Sequence, residues 1–323
     1  MRKKITILGE KILPGKTYQI KSDIARLHTR TKIEVPIIVS RAKEDGPCVL
    51  ISAGIHGDEV NGVEIVRQIV ANKYNIPDAG IIICVPVVNV FGFLIKTREF
   101  PDGKDLNRSF PGAKNGSLAS KFAHFFMNEI VDHVDYCIDF HTGGDTRFNY
   151  PQIRISDDDD ETFSLAKIFG AKFVKYSSER EKSFRASAVA SGKKVLLYEG
   201  GKSLDINPKV TNVGVTGILN VLEALGVKKF PANYTPFKET QEQVIFNESK
   251  WIRANASGMY RSLVQNGEPI SKGDVIGLIT DPYGFFERKI KSPVSGFVIC
   301  LNHSPIVNQG DAIAHIAIQN LAS

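Results

Sequence analysis

Between Pro47 and Leu225 short apolar runs alternate with segments of helical periodicity, and this alternation restricts the fold more than any other feature of the 323 residues. Apolar runs bounded by Gly, Pro or polar turns read as buried strands. They fall at residues 49–53, 80–88, 136–140, 172–176 and 194–198. Residues 60–71, 118–133, 161–169, 184–191 and 212–225 carry apolar positions at helical spacing instead. Ser117 stands where an N-cap for the longest of these helices is expected. Strands alternating with helices make an α/β layer, here a mixed, largely parallel sheet flanked by helices. Residues 17–27 and 32–41 add two strands ahead of it.

After Phe230 the composition changes. Pro231-Ala-Asn-Tyr-Thr-Pro236 marks a boundary, dividing residues 1–230 from a β-rich tail at 231–323. The tail contains a weak repeat. Ser257-Gly258-Met259 returns as Ser295-Gly296-Phe297, and Pro269-Ile-Ser-Lys-Gly273-Asp-Val-Ile returns as Pro305-Ile-Val-Asn-Gln-Gly310-Asp-Ala-Ile. Two like β units predict a small all-β barrel-sandwich with internal two-fold symmetry, similar to the biotinyl/lipoyl-like fold. The Met-Lys dipeptide that bears the modified lysine in carriers of that fold is missing, so the tail reads as a structural or gating domain.

The net charge of +6 comes from scattered Lys and Arg with no basic stripe, which excludes a nucleic-acid partner but suits steering of an anion. Cys48, Cys84, Cys137 and Cys300 are far apart in sequence and read as buried thiols in a reducing compartment. The basic start is followed by an apolar run too short for a secretory signal, and no stretch is long enough to span a membrane. A cytoplasmic protein is expected.

The chemistry gathers where strands end. Gly54-Ile-His56-Gly-Asp-Glu59-Val follows the run at 49–53, and Asp139-Phe-His141-Thr-Gly-Gly closes the run at 136–140. An H-x-x-E spacing alone recurs by chance, but both histidines sit at strand ends, where ligands collect in open α/β sheets. His56, Glu59 and His141 would supply two imidazoles and a carboxylate to one metal. That set leaves a tetrahedral position open for water, the ligand count of a hydrolytic zinc site rather than a structural one. Cobalt, manganese or nickel could use the same ligands. Asp139 shares the face of His141 and reads equally as an acceptor that orients its imidazole or as a polar group satisfied within the core or loop. Glu199, at the end of a third strand in Tyr198-Glu199-Gly-Gly201, is a candidate general base. The loop from Lys96 to Gly112 carries Arg98, Asn107 and Arg108, and a pair of arginines beside a metal suits an acidic substrate. The acidic run at 157–161 precedes a helix and reads as its cap. His28, His124, His133, His303 and His315 lack a ligand-like context.

Taken in order, GIHGDE, a loop pairing Thr97-Arg98 with Asp105-Leu-Asn107-Arg108, DFHTGG and YEGG resemble the succinylglutamate desuccinylase/aspartoacylase family, relatives of the zinc carboxypeptidases. The resemblance spans roughly residues 45–230, and the repeated tail is similar to the family's C-terminal domain. It implies one Zn2+ per chain on His56, Glu59 and His141, with Glu199 as general base and acid. It further implies that Arg98 polarises the scissile carbonyl and that Asn107 and Arg108 hold the substrate's carboxylate. The implied protein is a homo-oligomeric amidohydrolase acting on an N-acyl amino acid or similar small carboxylate. The acyl group stays open, since acetyl, succinyl and larger groups all satisfy the motifs. A metallocarboxypeptidase acting on a peptide C-terminus would present the same carboxylate to Arg108. A binding protein that keeps the zinc pocket without turnover is a rival of another class, opposed by the completeness of the residue set.

Overall fold

The computed structural model describes residues 5–26, 30, 32–156, 159–230 and 242–318. The expected boundary at 231–236, together with Leu27, His28, Asp157 and Asp158, lies outside the described residues. A small hairpin of β1 (Thr6–Ile7) and β2 (Glu10–Lys11) precedes the long strands β3 (Lys16–Arg26) and β4 (Lys32–Arg41). The alternating region follows as β5 (Glu44–Ala53), α1 (Val60–Ala71), β6 (Ala79–Val85), α2 (Val90–Ile95), α3 (Leu118–Glu129), β7 (Tyr136–Gly143) and β8 (Arg147–Ile155). It continues through α4 (Asp160–Phe169), β9 (Phe173–Tyr176), α5 (Phe184–Ala190), β10 (Lys194–Lys202) and α6 (Pro208–Ala224). The tail holds β11 (Val244–Phe246), β12 (Glu248–Arg253), β13 (Gly258–Ser262), β14 (Pro269–Ile270) and β15 (Val275–Thr280). After these come β16 (Glu287–Lys291), β17 (Gly296–Asn302), β18 (Ile306–Val307) and β19 (Ala312–Ile318).

One 13-stranded mixed sheet runs through the molecule in the order β12-β19-β17-β8-β10-β7-β5-β6-β4-β3, with β9, β11 and β14 branching from it. Its centre is parallel, as the alternation predicts: β6, β5, β7 and β10 lie side by side in one direction. Antiparallel strands flank that centre on both sides, β4 and β3 beyond β6, and β8, β17, β19 and β12 beyond β10. Side-chain alternation sorts the strands into two cores. Val49, Ile51, Ile138, Phe140, Leu196 and Tyr198 pack under α1, α4 and α6. Leu50, Cys137 and Val195 face α3 and α5, with Phe122, Phe126 and Phe184.

Element ends differ from the sequence reading for local reasons. The Glu199–His141 pair lies within the β10–β7 ladder, so both strands run past the expected ends at 140 and 198. Helix α3 stops at Glu129, where Ile130 leaves helical geometry and a 3-10 turn takes residues 131–133. Ser117 does cap α3, accepting from Ser120 N. Asp159 caps α4 through the amides of Glu161 and Thr162, the duty expected of the acidic run. Helix α6 starts earlier than expected, at Pro208, with Asn207 as its cap. All four cysteines are buried and free. No helix among the described residues is long and apolar enough to cross a membrane.

The tail's repeat has a structural counterpart. Gly258 and Gly296, equivalent in the repeat, each open a strand against a partner carbonyl; a Cβ would lie 2.5 Å from Thr280 O in one case and 2.0 Å from Ala317 O in the other. The next residues pair alike, Met259 with Thr280 and Phe297 with Ala317. Strands β16, β15, β13 and β18 form a separate four-stranded sheet, whereas β12, β19, β17 and β14 extend the large one.

Gly57, in the turn between β5 and α1, packs directly on α2. A Cβ there would lie 1.9 Å from Gly92 C and 2.1 Å from Phe93 N, backbone atoms that cannot rotate away. Gly57→Ala is therefore expected to lower stability by about 2–3 kcal/mol through overpacking. Urea titration should show this as a lower midpoint at unchanged slope.

Candidate active site

Because Ile138 and Phe140 enter the α1 core, Asp139 and His141 on β7 point to the opposite face. Leu196 and Tyr198 do the same on β10, leaving Leu197 and Glu199 on that opposite face. Parallel pairing sets Glu199 directly beside His141. His56 and Glu59 arrive from the turn after neighbouring β5, where Gly54 adopts a φ of 67° that a side chain would strain.

Glu59 occupies the N-cap position of α1, yet its side chain makes no capping bond. It turns into the site instead. Oε1 lies 2.7 Å from His56 Nδ1 and accepts from Arg98 Nη1 at 3.3 Å. Oε2 lies 2.8 Å from His141 Nδ1 and accepts from Thr142 N at 3.1 Å. The far nitrogens of both rings also meet carboxylates: His56 Nε2 is 3.1 Å from Asp105 Oδ1, and His141 Nε2 is 2.8 Å from Asp139 Oδ2. The second oxygen of Asp139 accepts from Ser52 Oγ at 2.7 Å, which anchors it.

Each imidazole is thus wedged between two carboxylates in a buried setting, and such a site calls for positive charge between Nδ1 and Glu59. Protons can supply it. Burial works against charged histidines, but Glu59 and Asp105 raise the pKa of His56 above its ordinary value, and Asp139 and Glu59 raise that of His141 further. Burial alone would push Glu59 up, yet the two histidines hold it well below the usual carboxylate range. A metal can supply the charge equally well. One donor atom from each of His56, Glu59 and His141 lies within 4.8 Å of the others, and the set has the chemistry of a zinc ligand group. Carboxylates on the Nε2 side would orient the rings and leave Nδ1 free to ligate.

Arg98 is locked in place by Asp105, whose Oδ2 accepts from Nε at 3.2 Å and from Nη2 at 2.9 Å. Asp105 also caps the 3-10 turn at Leu106–Arg108 through Asn107 N. Asn107 Oδ1 accepts from Phe184 N at 2.8 Å, tying that turn to α5. Arg108 donates to the Asn107 carbonyl, and burial, with Arg180 and Arg98 nearby, lowers its pKa. Glu199 is held from β8: Oε1 lies 3.2 Å from Arg154 Nη1, and Oε2 accepts from Asn149 Nδ2 at 2.7 Å.

His56, Glu59, Arg98, Asn107, Arg108, His141 and Glu199, the residues expected to bind metal or substrate or to act in catalysis, line one cavity of about 380 Å³, while Asp139 stands behind His141. Trp251 and Cys300 of the tail form part of its wall. The sequence reading passed over Asp105, although it stands within the same motif as Asn107. It also missed Asn149 and Arg154, since Pro151 obscured the strand that carries them. His315, read as lacking a ligand-like context, is buried and stacked on Trp251 at a centroid distance of 4.2 Å.

The family model for the succinylglutamate desuccinylase/aspartoacylase catalytic domain matches residues 45–225. The chain belongs to the succinylglutamate desuccinylase/aspartoacylase family. One relative is the N-alpha-acetyl-L-2,4-diaminobutyric acid deacetylase of Halomonas elongata, 27% identical over 299 residues that cover 88% of this chain and 86% of the relative. Among solved structures, a succinylglutamate desuccinylase/aspartoacylase from Rhodobacter sphaeroides superimposes with a TM-score of 0.81 at 24% identity, covering 95% of this chain and 96% of its own. The product-bound ectoine utilization protein EutE (DoeB) of Ruegeria pomeroyi gives 0.80 at 22% identity, covering 94% of each chain. At these identities the two structures show a common fold. The family match covers β5 through α6, the span that holds both histidine motifs, the Arg98–Arg108 loop and Glu199.

Purified protein is expected to take up about one zinc ion per chain, and His56→Ala and His141→Ala to abolish the uptake, read by elemental mass spectrometry. Asp105→Asn should retain the ligands but weaken zinc affinity about 10–100-fold in a chelator competition.

Proposed function

We propose that the chain is a zinc-dependent deacylase that hydrolyses the amide bond of an N-acyl amino acid or a similar small carboxylate. One observation carries this reading: the paired imidazoles, the bridging Glu59, Arg98, Asn107, Arg108 and Glu199 line a single cavity. Membership of a family named for desuccinylase and aspartoacylase supports amide hydrolysis, as does a curated relative named as a deacetylase.

In this reading His56, Glu59 and His141 hold the zinc. Bound there, zinc would supply Lewis acidity toward the scissile carbonyl and make a water available as nucleophile near neutral pH. Glu199 takes the proton from the attacking water and returns it to the amine nitrogen as the carbon–nitrogen bond breaks. Asn149 and Arg154 engage its two oxygens, which fixes the carboxylate beside His141. Arg98, clamped by Asp105 and Glu59, offers its guanidinium to the developing oxyanion without having to reorganise. Arg108 takes the substrate's carboxylate, with Asn107 completing that end of the pocket. The products are a free carboxylic acid and an amine.

The same reading divides the chain into a hydrolase part at 1–230 and a tail at 231–323. The paired Gly258 and Gly296 hairpins support a biotinyl/lipoyl-like barrel-sandwich for the tail. A cytoplasmic location, expected from the sequence, and a homo-oligomer, implied by the family resemblance, belong to this reading.

Glu199→Gln preserves the shape of the side chain while removing its basicity. On a panel of N-acetyl amino acids, kcat is expected to fall at least about 100-fold with zinc content unchanged. Full activity in a zinc-loaded variant would remove Glu199 from the role of base.

A further inference from the structure

The tail brings one aromatic side chain to the cavity, and the proposed reaction does not use it. Trp251 is the single tryptophan of the chain and lies on β12, an edge strand of the large sheet. Across that sheet it pairs with His315, His315 with Cys300, and Cys300 with Asn149, the residue that holds Glu199. Paired residues project to the same face, so one row of side chains runs from the Glu199 side of the cavity out to the indole. Three strand spacings separate the backbones of Asn149 and Trp251, about 14 Å in all. That span exceeds the length of a small N-acyl amino acid such as N-acetylglycine, so the tail end of the cavity has room for a further group.

Trp251 keeps 39% of its surface exposed, although His315 and Cys300 beside it in the row are buried. The imidazole of His315 lies against the indole at a centroid distance of 4.2 Å, with 9° between the ring planes. Burial, with Lys175 and Arg154 nearby, pushes the pKa of His315 down to about 3, so the ring against the indole is neutral. His315 covers one face of Trp251 and is absent from the cavity lining among the described residues. What the cavity meets is the remaining face and edge of an indole that is already held in place.

The rest of the lining decides what such a surface takes. An indole face attracts cations and other π systems. A cation is opposed here, because Arg98, Arg108, Arg147, Arg154, Arg180 and Arg185 face only two carboxylates, Glu59 and Glu199. Apart from glycines, the apolar lining consists of Leu197, Cys300 and Trp251. Burial pushes the Cys300 thiol up to about 12, so it meets a ligand as a small neutral group. We infer that Trp251, backed by His315, is a stacking platform for an aromatic group of the substrate, which is then an N-acyl amino acid with a ring on one side of its amide. The platform's chemistry is the same whether the ring belongs to the acyl group or to the amino acid. The inference rests on the deacylase reading for the amide, but the contact with Trp251 does not depend on turnover.

With one tryptophan in the chain, its fluorescence reports this contact directly. The zinc-loaded Glu199→Gln chain is titrated with N-acetylalanine and with two isomers, N-acetylphenylalanine and N-(phenylacetyl)alanine, which carry the same ring on opposite sides of the amide. At least one isomer is expected to bind about tenfold tighter than N-acetylalanine. It should also shift the emission to shorter wavelength and protect it from acrylamide quenching, and the isomer that does so assigns the ring to the amino acid or to the acyl group. Adding Trp251→Leu, which keeps apolar bulk on the edge strand, should reduce the preference to less than about threefold by calorimetry, and Trp251→Phe should restore part of it. Thermal melts check that these variants are folded, and the fluorescence arm stands by itself should they not be. Equal affinities for the three ligands would overturn the platform. An aromatic preference that leaves the emission unchanged, or that survives in folded Trp251→Leu, would overturn it too, as would an equal emission shift with N-acetylalanine. The expected responses, found together with an unmodified chain inert toward all three compounds, would uphold the platform and discard the deacylase reading.

Discussion

The carboxylate of Glu59 is the point at which the separate parts of the fold meet. It is almost fully buried, and a buried anion is tolerated only when its oxygens are matched by donors or cations. The matches come from three segments: His56 from the turn after β5, His141 and Thr142 from β7, and Arg98 from the loop beyond α2. Its backbone opens α1, so the positive end of that helix lies next to it. The cost is a missing cap, since the side chain that could bond the first helical amides is committed to the site. Stability has been exchanged for a preorganised donor set at this one residue.

A second constraint is the continuity of the sheet. Strand β17 pairs with β8, putting Cys300 opposite Asn149, and the row continues through His315 to Trp251. The tail is therefore not an appendage beside the cavity. Its strands extend the same sheet that carries His141 and Glu199, and they deliver Trp251 and Cys300 to the cavity wall. Any displacement of the tail would have to shear the β8–β17 ladder, and Asn149, which holds Glu199, sits on that ladder. The absence of a modifiable Met-Lys tip fits a role as a fixed wall rather than a swinging arm.

How much of this could be read beforehand follows from where each signal resides. Parallel central strands announce themselves because both faces are buried, leaving apolar runs such as Cys48-Val-Leu-Ile-Ser-Ala53. Ligands at the ends of such strands are equally legible, since the strand end fixes their position. Strand β8 gave no such signal. Pro151 lies within it, and its polar residues Asn149 and Arg154 serve the cavity instead of a core. A proline argues against a central strand, and here the ladder shifts register between the Glu199–Gln152 and Gly201–Asn149 pairs, the local irregularity in which a proline can be accommodated. Asp105 escaped for another reason. Its role depends on which imidazole nitrogen faces it, a fact of orientation that no spacing encodes.

The cavity's charge is likewise a product of folding and not of composition. A net charge of +6 spread along the chain gives no hint of a concentrated field. The arginines that line the cavity come from the α2–α3 loop, from β8, from the loop after β9 and from α5. Each segment looks unremarkable in isolation, and the pairing of β8 with β10 together with the packing of α5 brings them to one opening. Low-dielectric walls then focus the field, so an anion is drawn toward the bridging Glu59 even though that residue is itself negative. His56 and His141 keep Glu59 ionised, while the arginines around it set the sign of the field at the opening.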